Sequence, residues 1–128
     1  VAYKLKEVAF QLENDLWKKV VFIAISVDPE RDNLESAQEF SNRFGLINKW
    51  HYLIGNHSEL APVWDAYGIL VKKEAPMTSE HKHAKSYSVT HSVMVILIDK
   101  EGFQRVYHPT TFWNITFVVS DIRQLMSE

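Results

Sequence analysis

His91 stands in Val89-Thr90-His91-Ser92 at the start of one long apolar stretch, and Asp28 stands in Ser26-Val27-Asp28-Pro29-Glu30-Arg31-Asp32 at the end of another. An imidazole at a strand edge serves as a metal ligand or a proton carrier near neutral pH, or is satisfied by a backbone group. A carboxylate ahead of a proline accepts backbone amides and influences whatever binds beside it, or only shapes a turn. Glu30, Arg31 and Asp32 read as surface ion pairing and helix capping. Met77, His81 and His83 bring together a thioether and two imidazoles, donors that suit copper. Histidines two apart in a loop have no enforced geometry, however, and a solvated loop is the simpler reading. His51, His57 and His108 have no neighbour at metal spacing. No cysteine is present, so these residues hold no disulfide, thiolate metal site or thiol nucleophile. No Ser-His-Asp order, phosphate-gripping glycine loop or carboxylate pair supports a hydrolase or nucleotide-binding reading.

Several elements must position these groups. Leu5, Val8, Ala9, Leu12 and Leu16 recur at helical spacing and predict an amphipathic helix over 3–18. The β-branched run Val20 to Val27 predicts a strand covered on both faces, at the centre of a parallel sheet. Its carboxyl edge is where open α/β sheets bind ligands. Asp32, with Glu35 three residues on, predicts the cap of a helix over 33–44 that buries Leu34, Ala37, Phe40 and Phe44 and stops at Gly45. A short strand over 50–54 follows, then a helix capped by Ser58, with Pro62 near its first turn and Gly68 just past its end. Ile69 to Lys73 reads as a brief extension and residues 72–87 as an exposed loop. Val89 to Ile98 predicts a second buried strand, turned at Asp99-Lys100-Glu101-Gly102 into a hairpin with residues 103–107. A last helix runs from about Asn114 to Met126. Trp17, Trp50, Trp64 and Trp113 read as core or core-edge residues.

The chain has 46% apolar and 23% charged residues over a length suited to one globular domain. A net charge of -2 and no basic cluster argue against a nucleic-acid partner. No apolar run approaches the roughly 20 residues that cross a bilayer. Val1 is preceded by no initiator Met or leader pattern and reads as an internal cut, so a single domain truncated at its amino end is expected over 1–128. Two sequons, at Asn56 and Asn114, are common by chance.

Ser26–Asp32 after an apolar strand, a glycine-led helix ending in Ala66-Tyr67-Gly68, and His91 ahead of an apolar strand and the turn at Gly102 together resemble the Sco/SenC copper-handling proteins. The resemblance covers nearly the whole chain from Leu5 onward. It implies an α/β, thioredoxin-like fold from which the amino-terminal strand and a Cys-x-x-x-Cys loop are missing. In that family the loop's two cysteines and one histidine bind copper. His91 is the matching histidine, and the cysteines would fall before Val1. The family's usual Asp before this histidine is Thr90 here, a departure that touches the hydrogen-bonding partner that would set the imidazole's tautomer and orientation. The resemblance implies copper metallochaperone activity in assembly of cytochrome c oxidase, with its copper-site subunit as client. Copper is expected in the intact protein and none in these cysteine-free residues. The setting implied is extracytoplasmic, or the mitochondrial inner membrane facing the intermembrane space, with an anchor upstream. The alternatives are a thiol–disulfide oxidoreductase acting on the client's cysteines and a cysteine-free interaction module. The missing strand would lie between Val20–Val27 and Val93–Ile98, which should then not pair but stand roughly 9 to 10 Å apart.

Overall fold

The structure, a computed structural model, describes residues 1–12, 16–75, 87–109 and 113–128, and the side chain of Trp17 is not among what is described. Met77, His81 and His83 lie outside the described residues. Helix α1 spans Ala2–Gln11 and gives way to a 3-10 turn over Leu16–Lys19, so the single helix predicted over 3–18 is two pieces. Strand β1, Ile23–Ile25, is followed by α2, Leu34–Arg43, and by β2, His51–Leu53, which pairs parallel to β1. Helix α3, His57–Ala66, leads to β3, Val71–Glu74, and β4, Ser88–His91, an antiparallel ribbon. Strands β5, Met94–Ile98, and β6, Gln104–Pro109, form the predicted hairpin, and α4, Ile115–Ser127, completes the order. Gly102 takes φ +91 in the hairpin turn, which a Cβ would disfavour.

The core forms where α1 and α4 pack together. Val8, Leu12, Trp113, Val118, Val119 and Ile122 are buried, with Val95 and Leu97 of β5 and Phe22 beside β1 packed against them. Full burial of such side chains contributes roughly 1.5–3 kcal/mol each.

Three expectations give way. The stretch 89–98 is two strands, because Ser88–His91 pairs with β3 while Met94–Ile98 pairs with β6; Ser92 adds one more contact to the first pair, its N–H donating to the Leu70 carbonyl and its Oγ accepting from the Leu70 N–H, both at 2.9 Å. The stripe on α2 is mostly open, since Ala37 is buried while Leu34 is 67% exposed. Strand β1 is not covered on both faces: Ile23 is 54% exposed and neighbouring Val21 69%. Among the described residues the six strands form three separate pairs, and β1 does not pair with β5.

Candidate functional site

At the carboxyl end of β1 the chain enters a hydrogen-bonded turn built around buried Ser26. Its Oγ donates to Asp32 Oδ2 at 2.6 Å and accepts from the Asp28 N–H at 3.0 Å, while its carbonyl accepts from Trp64 Nε1 at 2.9 Å. Tyr52 of β2 donates its hydroxyl to the same Asp32 oxygen at 3.1 Å. Burial, then the Asp32 charge, pushes the Tyr52 phenol well above its ordinary range, so it stays a donor. This corrects the reading of Asp32 as a cap. Asn33 caps α2 instead: its side chain accepts from Ser36 N, and Ser36 Oγ accepts from Asn33 N. Helix α3 likewise takes Asn56 with Glu59, rather than Ser58, as its capping box. Both sequon asparagines, Asn56 and Asn114, are helix N-caps.

Asp28 faces the other way. One carboxylate oxygen accepts from the Tyr87 hydroxyl at 2.6 Å and the other from Arg31 Nε. Burial alone would raise this carboxyl's pKa, but the Tyr87 and Arg31 bonds outweigh it and hold the group below the ordinary aspartate value. Partial burial, then the bond to Asp28, raises the Tyr87 phenol to about 12. Arg31 also donates to the Tyr87 carbonyl at 3.1 Å and lies over the ring at 4.2 Å. Lys73 of β3 sits 4.2 Å from the same ring centroid and pairs with Glu30 at 2.6 Å. Glu30 and Arg31 therefore tie the β1–α2 turn to the β3–β4 ribbon, rather than acting as isolated surface charges.

His91 closes β4, opposite Val71, with its side chain exposed. Its Nδ1 lies 2.9 Å from the Ser92 carbonyl oxygen. A carbonyl only accepts, so Nδ1 carries a proton, and in the neutral ring Nε2 then presents its lone pair outward, the form in which an imidazole can ligate a metal. The orienting partner missing at Thr90 is thus found one residue on, in the backbone. Among the described residues no group of three His, Cys, Asp or Glu side chains could hold a metal ion. Of the other described histidines, His51 is exposed on β2, His57 is edge-on to Trp64, and His108 Nε2 lies 2.9 Å from an Asp121 carboxylate oxygen. Sequence reasoning passed over Tyr87, Tyr52 and Lys73. None belongs to a motif that marks it for a role, and their partners are distant in the chain.

A family model described as SCO1/SenC matches residues 2–127. Similar solved structures include ScoI from Bradyrhizobium japonicum with copper bound, at 24% identity and TM-score 0.76, the match covering 96% of this chain and 72% of that one. Arabidopsis thaliana ScoI with copper bound aligns at 21% identity and TM-score 0.78, over 98% of this chain and 73% of that one. A SCO1/SenC family lipoprotein from Bacillus anthracis aligns at 20% identity and TM-score 0.72, over 98% and 70%. No curated protein sequence matches. At these identities the structural likeness shows the fold, which is thioredoxin-like.

Proposed function

This chain belongs to the SCO1/SenC family, and on that premise we propose that it carries copper as cargo to the copper centre of a respiratory oxidase, with His91 as one ligand. The observation that carries the reading is the His91 ring, whose Nδ1 is engaged by the Ser92 carbonyl so that Nε2 remains open to a metal. Residues 1–128 contain no cysteine, so the two soft thiolates that Cu(I) favours come from outside them. One imidazole does not hold copper by itself. The ScoI proteins of Bradyrhizobium japonicum and Arabidopsis thaliana are known with copper bound, and the Bacillus anthracis relative is a lipoprotein. We place this protein's work accordingly outside the cytoplasm, beside a membrane, with the oxidase's copper-site subunit as client. No helix among the described residues is long and apolar enough to cross that membrane.

A Cu(I) competition titration of the full-length protein tests the assignment. His91→Ala should weaken binding by at least about tenfold, since even partners that merely orient a ligand are worth that much. Unchanged affinity would remove His91 from the site, and intact thiol exchange without copper binding would favour the oxidoreductase reading. Residues 1–128 alone should bind copper weakly and show no thiolate-to-copper charge-transfer band.

A further inference from the structure

We propose that Tyr87 is a positioning residue, pinning the β3–β4 ribbon to the β1–α2 turn and so setting the direction in which His91 points. The inference rests on the reading of His91 as a ligand. At its base the ribbon is held by Leu70 and Ser92, through the Ser92 N–H to the Leu70 carbonyl and the Leu70 N–H to the Ser92 hydroxyl. At its far end Tyr87 precedes β4 and is gripped from three sides: Asp28 accepts its hydroxyl, Arg31 stacks on its ring and bonds its carbonyl, and Lys73 lies over the ring. Both cations are themselves paired with carboxylates of the same turn, Arg31 with Asp28 and Lys73 with Glu30.

A two-stranded ribbon fixed only at its base can swing about that base, for an isolated pair of strands is marginal in water. His91 is the residue next to the pivot. A swing would shift its position little but would turn its Cα–Cβ direction fully with the strand. A metal ligand needs direction as much as place, with tolerances of about 10–20°. Tyr87, four residues before His91 and roughly 13 Å away along the strand, is where a restraint has the longest lever against such rotation. The contacts combine a charge-assisted hydrogen bond with stacked cations, interactions stronger than neutral ones.

The test uses the metal-free chain. Amide hydrogen exchange across β3 and β4 and the imidazole ¹⁵N shifts of His91 are measured in wild type, Tyr87→Ala, Tyr87→Phe and Arg31→Gln. Tyr87→Ala should speed ribbon exchange about tenfold or more and move the His91 shifts toward a mixture of tautomers, while α1 and α4 amides stay protected. Tyr87→Phe, which keeps the ring, should restore most of the protection. If Ala unfolds the chain, the Phe and Gln variants decide by the same two readouts. Ribbon exchange and His91 shifts unchanged in every folded variant would overturn the proposal. Because no copper enters, that failure is separate from the copper titration of His91→Ala.

Discussion

Asp28 makes the turn sensitive to acid in a direction the geometry dictates. Its folded pKa is lowered, so the stability it contributes is fully present above the unfolded aspartate value and is lost as pH falls through the lower folded value. The groups facing it are Tyr87, whose phenol stays protonated up to about 12, and Arg31, so the carboxyl is the one that changes on the acid side. Ribbon amides should therefore hold their protection from neutral pH down to ordinary aspartate values and lose it below them, and Asp28→Asn should flatten that profile in pH-dependent hydrogen exchange. Ser26 is a second sensitive point. Its buried hydroxyl serves Asp32 and the Asp28 N–H at once. Ser26→Ala should cost about 1–3 kcal/mol in urea unfolding, as expected where buried polar partners are left unpaired.

At the scale of elements, caps and stops do the local work. Helices α2 and α3 end alike: Gly45 and Gly68 adopt φ +64 and +65, and the residues after them, Leu46 and Ile69, donate back to Ser41 and Trp64 at 2.8 Å. Asn33→Ala and Asn56→Ala should each cost about 1 kcal/mol in thermal or urea unfolding. The glycine stops and the hairpin at Gly102 were legible in the sequence because their chemistry is local. The cap of α2 was not. Asp32 and Asn33 are adjacent and both suit the position, and the choice falls to Ser26 and Tyr52, which claim Asp32 from six and twenty residues away. The break at Ser92 was hidden for the same reason, since its partner Leu70 lies 22 residues upstream. His91 was legible as a candidate from its motif. Tyr87, 59 residues from Asp28, had no such signal.

At the scale of the whole molecule, the described strands form three separate pairs and no single continuous sheet. Ile23 pairs with His51 and Ile25 with Leu53 in register, so these four share one face of the β1–β2 pair, and Val21 precedes Ile23 by two residues, just ahead of β1. Val21, Ile23 and Leu53 are 69%, 54% and 47% exposed. Among the described residues β1 does not pair with β5, although both are rich in the branched side chains of buried strands. An apolar strand with a free edge recruits whatever extended chain it meets. We therefore expect residues 1–128 alone to self-associate at roughly micromolar to millimolar concentration, through this face rather than through the α1–α4 core, which is already filled. Val21→Lys with Ile23→Lys places two charges there without touching the buried cluster, and should return the chain to a monomer in sedimentation equilibrium at unchanged helix content. In the full-length protein the same pair of lysines should instead destabilise the fold, because an element packed over this face would bury them. A wild-type chain that stays monomeric at every concentration, and a full-length protein indifferent to the lysines, would show that β1 needs no further partner.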